Sequence, residues 1–463
     1  MRDETRVPPY VSRFTLHASS GLAVILLAYF AIALQYAART PAWQVPDEPA
    51  HYNYVRYVVE NRAVPVLRTG DYDQLYNEQF THPANTPRLS IDPLRYEYWQ
   101  PPLYYLLAAP VYALTGGNLF ALRLVSVAFG GALIVVAFLI VREIHPNRLA
   151  WALGTSAFVA FIPQHIAMLA GVNNDSLAEL LLALTLLQTL RVSNPERVET
   201  LNSSRNRGLL TLGVLLGLGF LTKGTNYLLA PVVFVALIAY HVSRITYHVS
   251  RLSPLASRLL LVFLPALALG ALWWLRNVSV YGGLDILGLA NHNAVVVGQP
   301  LTSDWIARLG FGPFLIGALT TTFHSFWGQF GWMGVPMPDP FYLALGMLSF
   351  IAVLGWLWCF RTNQPTNHQT IHPTRLPAFL LSLLTFLTFA YYIFYNFTFV
   401  QHQGRYLYPA LAPLGLVFSI GLERWTRLLP RPINALVFAA AFAALAALAI
   451  YALYRFVIPA LAV

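Results

Sequence analysis

Pro46-Asp47-Glu48-Pro49-Ala50-His51 sets two adjacent carboxylates between two prolines, shortly after the first long apolar run of the chain, Ala18 to about Ala38. An acidic residue followed by proline is a helix-start signal, so a helix is predicted from Pro49 to about Asn61, with Asp47 or Glu48 as its cap. That is the plain reading of the pair. The chemical reading is that two carboxylates just outside a membrane act as a general base or hold a cation. The rest of the chain decides between them.

The run from Ala18 to Ala38 is long enough to span a bilayer. It exceeds the apolar part of an ordinary secretory signal and more apolar runs follow it, so it reads as a retained first helix, with the N-terminus and Arg2, Arg6 and Arg13 in the cytoplasm. Of the 463 residues, 57% are hydrophobic and 10% charged, and the mean hydropathy is +0.56. A soluble domain carries about 25% charge, so the expected class is an all-α polytopic membrane protein. The net charge of +10 comes from arginines clustered between apolar runs, which is a positive-inside pattern and excludes nucleic acid as partner. Cys359 is the sole cysteine, which excludes an internal disulfide framework, and Lys223 is the sole lysine.

Outward from the opening stretch, residues 39–117 form a long polar first outer loop holding Asp47, Glu48, Glu60, Asp71, Asp73, Glu78, Asp92 and Glu97. Its aromatic content argues against disorder and its length argues for a function. Its last part, from Gln100, contains three prolines and is short for a span, so it is expected to lie along the outer surface or to dip in and return. Leu119 to Val141 runs inward to Arg142 and Arg148, and Leu149 to Leu169 runs outward and delivers Asp175. A hairpin with its tip at Thr222 to Asn226 puts Lys223 outside. The span from Leu259 exits at Arg276, and residues 281–338 form a second outer loop and interfacial segment. A short turn at Gln401 to Pro409 brings Arg405 to the same face. The count is about eleven spans in a single transmembrane domain, residues 1–463, with no separate soluble domain. The repeated His-Val-Ser-Arg at 241 and 248 is read as linker drift.

The outer face therefore collects Asp47, Glu48, His51, Asp175, Lys223, Arg276 and Arg405. A carboxylate within reach of a hydroxyl removes its proton, and cations stabilise a departing phosphate. Plain alternatives stand beside each residue: Arg276 and Arg405 as interface anchors, Asp175 as a cap for the helix at Ser176, His51 as a group orienting a carboxylate. A sole lysine at an outer hairpin tip is harder to explain as structure.

Six segments in order, Asp47-Glu48, Gln100-Pro101-Pro102-Leu103-Tyr104-Tyr105, Asn173-Asn174-Asp175-Ser176, Leu221-Thr222-Lys223-Gly224, Trp273-Trp274-Leu275-Arg276-Asn277 and Gln403-Gly404-Arg405-Tyr406, resemble the GT-C superfamily of membrane glycosyltransferases, in the bacterial branch with protein O-mannosyltransferases and the lipid A aminoarabinose transferase. The resemblance implies an inverting glycosyltransferase of the cell membrane with a polyprenyl-phosphate sugar donor, a lipid, glycan or protein acceptor, and its site on the non-cytoplasmic face. It implies Asp47 as the first-loop catalytic carboxylate, Asp175 as a second outer acidic residue, Lys223 near the donor phosphate, and Arg276 and Arg405 as further phosphate or acceptor contacts. The expected site is then Asp47, Glu48 and Asp175 as catalytic residues, Lys223, Arg276 and Arg405 at the donor phosphate, and His51, Gln100 and Tyr104 as acceptor or donor contacts. Gln100 departs from the aminoarabinose transferases, which have lysine there. A divalent cation, Mg or Mn, held by Asp47, Glu48 and Asp175 stays open, as does the alternative that arginine and lysine do its electrostatic work. The rival functions are a lipid-linked sugar flippase and a non-catalytic lipid-binding subunit. A flippase would carry ionisable residues within its spans and two related halves, and neither pattern is present.

Overall fold

The computed structural model describes residues 9–194, 205–245, 253–362 and 375–462. Arg2, Arg6, Arg197 and the second His-Val-Ser-Arg lie outside the described residues. The first helix, α1, runs Pro9–Arg39, and it is followed by α2 (Glu48–Asn61), α3 (Gln74–Thr81), α4 (Leu103–Thr115), α5 (Leu119–Ile144), α6 (Leu149–Phe161), α7 (Pro163–Leu169) and α8 (Asp175–Val192). Later helices are named by residue range. Strand structure among the described residues is one short antiparallel pair, Gln329–Phe330 with Val335–Pro336.

Eight helices among the described residues are long and apolar enough to cross a membrane, and the pair α6 and α7, bent by 65°, makes a ninth if taken as one span. The expected eleven include two more, α8 and Arg205–Phe220. The first carries Asp175, Glu179 and Arg191, and the second is 16 residues long. Burial explains how α8 tolerates these charges: Ser176 to Ala183 are all buried, so the helix meets protein instead of lipid.

The membrane core is built where α5 packs on α8, α6 and α1. Tyr29 and Tyr36, fully buried on α1, keep their hydroxyls paired by donating to the carbonyls of Val127 (3.1 Å) and Ala449 (2.8 Å), as a buried hydroxyl must.

The first loop has a core of its own. Tyr54 of α2 and Tyr105 of α4 stack at 3.5 Å, with Tyr98, Tyr104 and Phe80 buried around them. This is why a proline-rich polar loop is ordered: its aromatics bury area against one another. At 13 residues, α4 is shorter than the helices long and apolar enough to cross a membrane. It packs on α2 and α5 and is tied to the later hairpin by Leu103 N donating to the Leu221 carbonyl, 2.9 Å.

The second loop is more helical than its sequence suggested, with helices Leu289–Val295, Thr302–Leu309 and Phe311–Trp327. Pro313 lies in the first turn of Phe311–Trp327, where its missing N–H costs nothing.

Candidate functional site

Asp47 is the N-cap residue of α2, with φ 65° and ψ −5°. This left-handed conformation is one that Asp tolerates better than most residues, at a strain of about 1–3 kcal/mol. It turns the carboxylate away from the helix, so the capping reading fails: the side chain makes no cap hydrogen bond. Asp47 Oδ2 instead accepts from Arg405 Nη2 at 2.6 Å, and Oδ1 accepts from the Tyr96 hydroxyl at 3.0 Å. Burial pushes the Asp47 carboxyl up, but the Arg405 charge and the hydrogen bonds from Arg405 and Tyr96 outweigh it and hold the group below its ordinary value.

Arg405 is presented by a 3-10 turn, Gly404–Ala410. The turn sits so close to Phe311–Trp327 that a Cβ on Gly404 would lie 2.2 Å from Phe326 N. Only glycine fits before this arginine.

Asp175 opens α8, and it too has a partner in place of a capping role. Lys223 Nζ donates to Asp175 Oδ1 at 2.6 Å and to Asn174 Oδ1 at 3.2 Å. Asn174 Nδ2 in turn reaches Gln100 Oε1 and the Thr222 carbonyl, both at 3.3 Å. Burial lowers the basicity of Lys223, while Asp175 more than offsets this and raises it above its ordinary value. The lysine stays charged.

His51 lies one turn into α2, with Nδ1 2.8 Å from the Tyr105 hydroxyl. Burial pushes it down to about 3 despite the attraction of Asp47, and Lys223 adds to the depression. It is a neutral hydrogen-bonding group at physiological pH.

Glu48 is placed elsewhere. Its carboxylate, fully buried, accepts from Arg123 Nε at 2.7 Å and Nη2 at 2.6 Å, and from the Val172 and Trp43 amides, each at 3.1 Å. Arg123 also donates to the carbonyls of Ala37, Thr40 and Pro41. This knot joins the end of α1, the start of α2, α5 and the segment leading to Asp175. Such a bidentate pair fixes geometry.

Arg276 and Tyr104 are also outside the cluster. The Arg276 guanidinium lies 4.7 Å over Trp273 and donates to the Asn277 side chain and the Pro65 carbonyl, bracing the first loop. Tyr104 is buried with its hydroxyl 2.9 Å from Ser126 Oγ.

One residue was not singled out from sequence. Glu97, in the 3-10 turn Tyr96–Trp99, is pushed up to about 7, first by burial and then by Asp47, while Lys223, Gln100 and Arg405 pull the other way. Its Oε2 and Arg405 Nε are buried without partners. Buried polar atoms rarely stay orphaned, so both mark places where a bound molecule would complete the bonding. The available signal was its position three residues before Gln100-Pro101-Pro102. Among the described residues no group of three or more His, Cys, Asp or Glu is placed to hold a metal: Glu48 faces Arg123, and Asp47 and Asp175 each face a cation.

The family model described as dolichyl-phosphate-mannose-protein mannosyltransferase matches residues 99–273, a range that includes Gln100, Asp175 and Lys223. No curated protein matches the chain in sequence. Among solved structures, the chain is similar to an Archaeoglobus fulgidus oligosaccharyltransferase tethered with an acceptor peptide, at 16% identity and a TM-score of 0.50 over 94% of this chain and 54% of that one. It is also similar to ArnT from Cupriavidus metallidurans bound to undecaprenyl phosphate, at 15% identity and a TM-score of 0.50 over 97% of this chain and 74% of that one. The chain thus spans about half the length of the archaeal protein. The resemblance to the GT-C superfamily is borne out, and the fold is an all-α polytopic GT-C fold.

Proposed function

We propose that this chain transfers a sugar from a polyprenyl-phosphate-linked donor to an acceptor hydroxyl, with inversion, on the non-cytoplasmic face of the cell membrane. The observation that carries this reading is the cluster in which two carboxylates, Asp47 and Asp175, each face one cation, Arg405 and Lys223. A donor phosphate binding between the cations takes over their charge-assisted hydrogen bonds and frees the carboxylates. Similarly folded proteins have been captured with undecaprenyl phosphate and with a dolichol-phosphate, which supports a lipid phosphate as the group these cations meet.

In this reading Asp47, ionised at neutral pH, accepts the proton of the acceptor hydroxyl as its oxygen attacks the anomeric carbon. The bond from that carbon to the phosphate oxygen breaks, and its electron pair leaves on the phosphate, where Lys223 and Arg405 stabilise the charge. Asp175 holds Lys223, Glu48 and Arg123 hold Asp47 in its left-handed turn, and His51, Gln100 and Glu97 line the space for sugar or acceptor. Arg276 and Tyr104 act at a distance, as supports.

The test is transfer of radiolabelled sugar from a panel of polyprenyl-phosphate sugars to membrane lipids and proteins, by wild type and Asp47→Asn, with and without chelator. Asp47→Asn should lower turnover about 10²–10⁴-fold with donor binding retained. Donor binding without transfer, unchanged by the substitution, would replace this reading with a flippase or a binding subunit. Loss of transfer on chelation would show that a divalent cation joins the reaction.

A further inference from the structure

The molecule has a second amphiphilic site, distant from the Asp47 cluster. A groove of about 1210 Å³ lies between α1, α6 and the two helices Leu411–Thr426 and Ile433–Ala452. Its apolar wall includes Val24, Ile25, Leu153, Phe438 and Phe442, and its other end carries Arg148, Arg427 and Arg431. Arg405 precedes Leu411–Thr426 and Arg427 follows it, so 16 helical residues at about 1.5 Å each, roughly 24 Å, separate the two sites along that helix.

Close packing closes the floor. A Cβ on Gly21 would meet Leu153 at 2.9 Å, and one on Gly154 would meet Ser419 Oγ at 2.6 Å. The helices therefore touch beneath the groove and part above it. At its polar end Glu423 is fully engaged, accepting from Trp151 Nε1 at 2.6 Å and Arg427 at 2.9 Å. Glu423 neutralises Arg427. Arg148, lying 5.0 Å over the Trp151 ring, and Arg431 form no ion pair among the described residues, so the polar end keeps two uncompensated positive charges.

We propose that this groove binds an anionic glycerophospholipid, with the head-group phosphate between Arg148 and Arg431 and the acyl chains along α1 and Ile433–Ala452. Charge complementarity selects the head group, and the volume, above the roughly 300–1,000 Å³ of pockets for drug-sized ligands, suits acyl chains. An arginine near an anionic lipid surface strengthens binding about fivefold. Two give about thirtyfold at most.

The test uses purified full-length protein in mild detergent supplemented with phosphatidylglycerol, phosphatidylcholine or undecaprenyl phosphate, with retained lipid counted by native mass spectrometry. Wild type should retain phosphatidylglycerol at least tenfold better than phosphatidylcholine. In R148Q/R431Q that preference should fall to about twofold, while A439F/A443F, which places rings in the groove, should reduce retention of both lipids. Inorganic phosphate at millimolar concentration should not displace the lipid, since it has no chains to bury. Arg431 is exposed, so R431E alone is a second variant that leaves packing intact, and it should weaken phosphatidylglycerol retention about tenfold. Equal retention of the two phospholipids, no change in R431E, displacement by free phosphate, or stronger retention of undecaprenyl phosphate through these arginines would each overturn the assignment. Sugar transfer is not the readout, so a failure here is distinct from a failure of the proposed reaction.

Discussion

Glu48 stands beside Asp47 in sequence and faces a different partner, Arg123, in the fold. Its carboxylate receives four hydrogen bonds, two from Arg123 and one each from the amides of Trp43 and Val172. Glu48→Gln replaces one accepting oxygen with an NH₂ that faces a donor on either side, and leaves the Arg123 charge buried. Breaking a buried pair by removing one partner costs about 3–5 kcal/mol, and Arg123→Met should cost a similar amount. With Glu48→Met and Arg123→Met each also measured alone, the double variant carrying both should be less destabilised than the sum of those two singles, by an interaction energy of about 2–3 kcal/mol. The assay is unfolding of the detergent-solubilised protein with increasing denaturant, followed by tryptophan fluorescence, with sugar transfer measured on the same samples. Transfer in Glu48→Gln should fall together with stability. In Asp47→Asn, where Asn retains the left-handed backbone, transfer should be lost with most of the stability kept. A Glu48→Gln protein that unfolds within about 0.5 kcal/mol of wild type but transfers no sugar would remove Glu48 from its structural role and put it in the chemistry.

Glu97 should make stability depend on pH. Its folded value of about 7 lies above the ordinary 4.5, so the folded state keeps a proton that the unfolded state releases; stability is then greatest below about 4.5 and declines as pH rises through 7, and Glu97→Gln should flatten that slope in unfolding midpoints. His51, neutral across this range, should contribute no limb near 6.5, so the pH profile of transfer in His51→Gln should keep the shape of the wild-type one. Lys223→Met should weaken donor binding by on the order of 10–100-fold, the value of a charge-assisted hydrogen bond, and Lys223→Arg should recover part of it, as titrated with a labelled donor. Arg276→Gln should leave turnover within about threefold and instead speed proteolytic cleavage of the first loop near Pro65, because it removes the brace that ties this loop to Ser253–Tyr281.

Sequence alone determined the solvent of this protein, because apolar runs near 20 residues and scarce charge have no other stable home. It also offered the charged residues of the cluster: Asp47, Asp175, Lys223 and Arg405 were each legible as charged residues at or near the ends of apolar runs. Tertiary structure decided how they pair. Asp47 and Arg405 lie 358 residues apart, and their meeting depends on Gly404 admitting the turn against Phe326 and on the left-handed turn at Asp47, neither of which leaves a periodic trace. Structure also separated Asp47 from Glu48. Neighbours at the start of a helix point in directions set by backbone dihedrals, and the left-handed turn sends one carboxylate to Arg405 and the other to Arg123. Glu97 was hidden among eight acids of the first loop for the same reason: what marks it is one carboxyl oxygen enclosed without a partner near Asp47, and that enclosure comes from how the turn Tyr96–Trp99 packs.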